Sequence, residues 1–310
     1  MKLFFSAFLF FSLMGQIAAA AALGTSARTV IPADVQQIIS VDYRQLSNSA
    51  VAGELHDRAL PDNMKQFESA LKGVGISPDR DIDHLTFASF RDAGQIRMMG
   101  VAEGQFALKS IFAKLRAKKI KPSRYHQALL YPMGNGFEMT LLDDSTMLFG
   151  DLTALKSSIQ ARDGQIRSVN ANGPLTDIMP GVDSGAVWSV LDAEGTQAMM
   201  RSALGDASRL ADFETIKKRL LASRYQMNFD QGVKFDLDVI TSDSVTAATL
   251  STVVKAGMLY KKMQVSGPEK AALDSMSVES DSDQLRFHFR ADDKKFQSLL
   301  NSELFAAVSR

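Results

Sequence analysis

Residues 224–239 read RYQMNFDQGVKFDLDV, and this stretch decides the fold class. Apolar side chains occupy every second position on both sides of a turn at 230–232. Alternation with a period of two is typical of a strand with one buried and one solvated face. Asp and Gly in the turn favour a hairpin. The same alternation recurs over 137–141 and 285–290, so the sequence predicts antiparallel or mixed sheets.

Helical spacing separates these strands. Apolar residues at i, i+3, i+4 and i+7 predict a helix over 105–119, and similar three- and four-residue spacings predict helices over 207–222 and 244–264. Residues 30–165 and 175–310 each show the order strand, helix, strand, strand, helix, strand, followed by further elements. The sequence therefore predicts an α+β protein of two ferredoxin-like halves (β-α-β-β-α-β plus extra elements), with antiparallel sheets backed by helices.

Residues 1–22 carry the three parts of a secretory signal peptide. Lys2 precedes a dense apolar run, and the small-residue tract 18–22 follows it. We therefore expect cleavage after Ala20 or Ala22 and an exported protein that works in the periplasm or outside the cell. The alternative is an uncleaved helix, since residues 3–23 are long enough to anchor the chain in the inner membrane.

Charge and cysteine content exclude several classes of function. The chain has 35 Lys and Arg against 35 Asp and Glu, a balance that gives no general attraction to nucleic acid or to anionic membranes. Contact with a membrane is therefore expected only through the N-terminal segment, if that segment stays uncleaved. Cysteine is absent, which excludes disulfides, a thiol nucleophile and thiolate metal sites.

No residue pattern matches a catalytic or metal-binding motif. The four histidines are far apart and lack the spacing of metal ligands. Asp79, Asp81 and Asp83 alternate as in a calcium loop, but His84 and Phe90 stand where such a loop needs Gly and Glu. The chain contains neither a nucleophile elbow nor a phosphate loop. The sequence thus predicts no catalytic residue, no cofactor and no metal, and it favours a protein that is not an enzyme.

Two further groups of residues receive a structural interpretation. The basic run from Lys114 to Lys121, extended by Arg124, falls at a predicted helix end, where cations stabilise exposed carbonyl groups. An anionic partner is the alternative for this run. Trp188, the only tryptophan, is expected in the core. The strand phenylalanines are expected there too: Phe87, Phe90, Phe229, Phe235, Phe287 and Phe289.

One polar surface is a candidate for binding. Three strands of the second half are predicted to direct their polar residues to the side of the sheet that helices leave open. Mixed charge and amide groups on an open face can recognise a polar ligand or another protein. A solvated face, or an interface between the two halves, is the alternative interpretation. The residues of this face are Arg224, Gln226, Asn228, Lys234, Asp236, Asp238, Arg286, His288 and Arg290.

The chain also resembles a loose group of exported bacterial proteins of unknown function. The resemblance rests on the phrase Ile31-Pro32-Ala33-Asp34 followed by the apolar strand from Ile38 to Asp42, together with the element order. It implies an extracytoplasmic α+β protein and supplies no catalytic residues. We therefore expect a non-catalytic binding or interaction protein. The alternatives are an envelope-associated hydrolase with an active site built from distant segments, and a membrane-anchored structural component.

Overall fold

The computed structural model describes residues 22–300, except 60–61, 93–94, 205–212 and 231. The predicted signal peptide therefore lies almost wholly outside the described residues.

The described strands form one antiparallel sheet. The first seven strands along the chain are β1 (Gln37–Asp42), β2 (Ile82–Asp92), β3 (Gln95–Gly104), β4 (Ser123–Tyr125), β5 (Ala128–Gly134), β6 (Phe137–Leu141) and β7 (Thr146–Asp151). The others are β8 (Val187–Leu191), β9 (Leu220–Asn228), β10 (Val233–Thr241), β11 (Met276–Asp281) and β12 (Gln284–Ala291). Their order in the sheet is β11-β12-β10-β9-β8-β1-β2-β3-β7-β6-β5-β4.

Helices cover much of this sheet. Those of the first half are α1 (Thr25–Val30), α2 (Tyr43–Ser47), α3 (Ala50–Ala59), α4 (Asp62–Gly73), α5 (Pro78–Asp81), α6 (Leu108–Ala117) and α7 (Leu152–Arg162). They are followed by α8 (Gly173–Thr176), α9 (Ala193–Leu204), α10 (Phe213–Lys217), α11 (Ser244–Gln264), α12 (Gly267–Asp274) and α13 (Asp293–Leu300). Short 3-10 helices lie at Val169–Ala171 and Met179–Gly181.

The two halves of the chain share this sheet, because β1 pairs with β8. Ile38 faces Val190 and Ser40 faces Trp188 across the seam. The α+β class and the antiparallel pairing are thus confirmed, but the expected separate sheets are merged into one. Trp188 is fully buried at the seam, as predicted.

The ferredoxin-like strand order is wrong for the described sheet. In that fold a helix connects two parallel strands with another strand between them. Here the helix-connected strands β1 and β2 are antiparallel neighbours, and so are β8 and β9. A connection that starts and finishes at the same end of the sheet gives an antiparallel pair. Element order along the chain does not reveal where a connection finishes.

The predicted helix boundaries are right in one case and wrong in another. Helix α11 spans Ser244–Gln264, as predicted. The helix predicted over 207–222 falls partly outside the described residues, and α10 ends at Lys217. Leu220 already belongs to β9, where it is buried next to the exposed Leu221. The helical spacing of Phe213, Ile216 and Leu220 therefore runs across a helix end into a strand.

Glu103, near the end of β3, holds the start of α1. Its carboxylate accepts hydrogen bonds from the backbone N–H groups of Ser26 and Ala27 and from the Ser26 hydroxyl. Burial raises the pKa of Glu103 above its ordinary value of 4.5, and the attraction of His84 and these hydrogen bonds offset it only in part. The folded chain therefore binds this proton more tightly than the unfolded chain does.

We expect Glu103→Gln to flatten the pH dependence of stability. Since the folded pKa is raised, its stabilising contribution is complete below about pH 4.5 and is lost as pH rises through the folded pKa. Glutamine stays neutral and keeps an acceptor oxygen, so the variant should equal or exceed the wild type near neutral pH. Urea unfolding below pH 4.5 and near pH 7 measures this, with Asp34→Asn at an exposed position as the control. A variant that is less stable than wild type only near neutral pH would contradict the expectation.

Candidate functional site

The nine residues of the predicted polar face lie side by side on the same face of strands β9, β10 and β12. Lys234, Asp236 and Asp238 form the central row on β10. Their cross-strand neighbours are Arg290, His288 and Arg286 on β12, and Asn228, Gln226 and Arg224 on β9. The face thus consists of three rows of three side chains.

Most of these side chains already bind one another or nearby backbone. Arg224 Nε lies 3.0 Å from Asp238 Oδ2. Asp236 Oδ1 lies 2.6 Å from both His288 Nδ1 and Arg290 Nη2. Other partners lie outside the nine. Arg286 pairs with Asp281, and His288 pairs with Glu279. Gln226 accepts from the Ser184 hydroxyl, and Asn228 accepts from the Ala186 N–H. Arg224 and Arg290 also donate to backbone carbonyl groups. The exposed Lys234 remains at the rim.

Asp236 joins two of the other residues of this face, His288 and Arg290. Burial alone would raise its pKa, but hydrogen bonds from His288 and Arg290 outweigh burial and hold the pKa below its ordinary value. The carboxylate therefore stays ionised at neutral pH and accepts from two donors of the neighbouring strand β12. This arrangement stabilises the sheet and offers no proton for acid catalysis.

Replacing Arg286 and Arg290 by Ala tests whether this face captures a partner. Because the lost ion pairs are at least partly exposed, the free energy of unfolding should fall by only about 1 kcal/mol or less per pair. If the face binds a partner, affinity capture from an envelope fraction should lose that partner, whereas the distant control Arg80→Ala should keep it. Identical captured material for wild type and the double variant removes this role.

The sheet centre contains a second candidate site, an apolar cavity. Ile38 and Trp188 are fully buried on one side of the sheet. On the opposite side, their chain neighbours Ile39 and Val187 are only half-buried. The described side chains of helices α2 to α4 line this second side and leave a cavity between themselves and the sheet.

The cavity has a volume of about 370 Å³. Among the described residues, Glu68 is the only charged one that lines it, and Tyr43 brings a phenolic hydroxyl. The other described lining side chains are apolar: Ile39, Val41, Leu46, Ala52, Leu55, Phe67, Leu71, Pro78, Ile82, Leu85, Phe87, Met147, Phe149, Val187 and Phe229.

Aromatic rings build one wall. The ring of Phe149 lies 4.7 Å from that of Phe67 and 5.8 Å from that of Phe87, measured between centroids. Gly100 makes room for this ring, because a Cβ there would lie 2.1 Å from Phe149 Cζ. The wall therefore consists of aromatic rings that are held in place by their contacts with one another and with Gly100.

Polar recesses adjoin the cavity on two sides. One, of about 350 Å³, shares Tyr43 and Glu68 with the cavity and adds Lys72 and Asp79. The Tyr43 hydroxyl lies 3.2 Å from Asp79 Oδ1 and donates to it. The other recess, of about 540 Å³, shares Phe229 and is lined by Gln45, Asn48, Asp230 and Asp293, among others. A ligand with an apolar body and a polar end fits this combination.

The sequence pattern does not predict the cavity. Phe87 and Phe229 were expected in the core, and both are half-buried and pack against core clusters, but each also lines the cavity. A signal was present in β1, where Ile38 and Ile39 are adjacent apolar residues on opposite faces. Such a strand is covered on both faces, but its sequence does not show whether the helices on each face pack against it completely.

The other singled-out motifs have structural roles. Asp79, Asp81 and Asp83 bind separate partners, namely Tyr43, Arg80 and Arg44. Lys118 and Lys114 extend over Gly73 and Gly75, at the carbonyl end of α4. The basic run therefore serves a neighbouring helix end in addition to its own. Within the described residues no group of three or more His, Asp or Glu is arranged to hold a metal ion.

Comparison with known proteins gives structural neighbours only. No family model and no curated protein matches the chain. Crystal form I of TP0453 shares 9% identity with it, covering 88% of this chain and 95% of that chain with a TM-score of 0.49. Crystal form III shares 7% identity over 88% and 96% of the two chains, with a TM-score of 0.47. Crystal form IV shares 9% identity over 92% and 98%, with a TM-score of 0.49.

Proposed function

We propose that this chain is an exported, non-catalytic binding protein whose ligand is an apolar molecule held in the cavity beneath α2 to α4. The observation that carries the proposal is the cavity lining, which contains a single charged residue, Glu68, in the part of the chain that the structure describes. Ligand sites are typically concave, mainly apolar and about 300–1,000 Å³ in volume. Export is supported by the signal-peptide pattern of residues 1–22.

The size of the cavity supports a ligand larger than a single ring. An engineered cavity of about 150 Å³ lined by similar side chains binds benzene. A volume of about 370 Å³ accommodates an acyl chain or a fused-ring hydrocarbon. The adjoining recess with Lys72 and Asp79 would receive a polar end of such a molecule.

The cavity is partly open to solvent, so without a ligand its apolar lining is in contact with water. Apolar surface left in contact with water forfeits about 25 cal/mol per Å² of the free energy that its burial would contribute. A fold that is selected for stability alone would fill such a space. Occupation by a ligand explains why apolar side chains line it and do not close it.

Titration with N-phenyl-1-naphthylamine, a neutral apolar probe whose fluorescence rises in apolar surroundings, tests the proposal. We expect saturation at one probe per chain and displacement by an unbranched fatty alcohol. Fluorescence that rises without saturation, or a bound probe that the alcohol does not displace, would refute a defined apolar site.

We also infer that residues 30–165 and 175–310 are a repeat of one element order. Both halves supply a first strand, β1 or β8, to the central antiparallel seam. In both halves, the next two strands continue outward in chain order, as β2-β3 and β9-β10.

A further inference from the structure

Helix α11 carries an exposed apolar cluster near its C-terminal end. Leu259, Tyr260 and Met263 are 63%, 62% and 73% exposed. At 100° per residue these three side chains fall within an arc of about 100° on the helix surface. The N-terminal half of the helix is different, because its buried residues, such as Leu250 and Val254, pack on the sheet. The described residues thus leave this apolar cluster largely uncovered.

The charge around this cluster is positive. Lys255 lies one turn before Leu259 on the same side of the helix. Lys262 and Lys270 share one carboxylate, Asp274, at 3.1 and 2.8 Å, which leaves this group with a net charge of +1. Residues 244–268 contain no acidic residue. Glu269 of α12 is the next carboxylate along the chain, and it is half-buried.

We propose that this end of α11 docks on an anionic lipid surface. Interfacial helices combine exposed Leu and aromatic side chains with lysines beside the apolar face. Tyr260 suits the boundary between headgroups and acyl chains, since its ring is apolar and its hydroxyl is polar. The balanced charge of the whole chain predicts no general attraction to membranes, but the local excess of lysine around the cluster does.

A second copy of the chain is the competing occupant. A symmetric contact through this cluster would bring Lys255 and the Lys262 group of one copy towards the same residues of the other. Like charges oppose such a contact, whereas anionic headgroups neutralise it. The charge pattern therefore favours the lipid surface.

A fluorescent label placed in this cluster tests the proposal. The chain has no cysteine, so Met263→Cys in the full chain can be labelled with an environment-sensitive nitrobenzoxadiazole dye. Val245→Cys is the control, because Val245 is 70% exposed on the first turn of the same helix. The probes are vesicles of phosphatidylcholine, with and without phosphatidylglycerol.

We expect the dye at 263 to brighten and shift to the blue with phosphatidylglycerol vesicles, while the dye at 245 stays unchanged. Adding Lys255→Gln and Lys262→Gln should weaken this binding roughly fivefold for each lysine lost. Equal responses at the two positions, or an equal response with phosphatidylcholine alone, would overturn the proposal. A response at 263 that grows with protein concentration in the absence of vesicles would overturn it in favour of self-association. Probe binding in the cavity is measured separately, so either proposal can fail alone.

Discussion

Val187→Phe should abolish most of the cavity's affinity for an apolar probe. Val187 lies on β8 and lines the cavity, and its side chain is only half-buried. A phenyl ring at this position occupies space that about three methylene groups of a ligand would fill. At ~0.8 kcal/mol for each buried methylene group, affinity should fall roughly fiftyfold.

The same substitution should not damage the fold. The added ring enters empty space beside Val41 and Phe229, so the variant should unfold at the same urea concentration as wild type or at a higher one. Val245→Phe is the matched control, because Val245 is 70% exposed and lies far along the chain on α11. Probe titration and urea unfolding of both variants make the comparison. Unchanged probe affinity in a folded Val187→Phe protein would place the site elsewhere.

Trp188→Ala should cost about 3–5 kcal/mol of unfolding free energy. Trp188 has no exposed surface and faces Ser40 on β1 and Gln226 on β9, so it packs where the two halves of the chain join. Truncation leaves a large cavity that the surrounding strands cannot close. Such a loss is a large fraction of the stability of a typical domain.

Far-UV circular dichroism during urea unfolding measures this effect, since the variant lacks the only tryptophan. Trp188→Phe should lose less, because the ring fills part of the space. Tyr260→Ala is the aromatic control and should change stability little, since Tyr260 is 62% exposed. A loss below about 1 kcal/mol for Trp188→Ala would show that the seam is not held by this side chain.

The sequence predicts the pairing class of this fold well and its strand order poorly. The alternation of Phe235, Leu237 and Val239 identifies an amphipathic strand, and the turn beside it identifies the hairpin. Which strands become neighbours depends on where the connecting helices return the chain, and periodicity carries no such information. For that reason, the ferredoxin-like order was expected and a continuous sheet with a β1–β8 seam was found.

The two candidate sites also differ in how well the sequence predicts them. The polar face could be predicted, because its residues alternate within three strands and the register aligns them. The cavity could not be predicted, because Phe87 and Val187 are apolar residues at alternating strand positions, as fully packed core residues are. Whether a helix such as α4 seals a sheet or stands away from it depends on tertiary packing, which a strand's own residues do not encode.

Energy transfer from Trp188 to the bound N-phenyl-1-naphthylamine tests the central claim most directly. The only tryptophan is the chain neighbour of Val187 and points to the opposite face of β8, so one strand separates donor and cavity, a distance on the order of 10 Å. If the probe occupies the cavity, the emission of Trp188 should be quenched almost completely as the probe saturates. Saturable probe binding that leaves the emission of Trp188 unchanged would contradict the account.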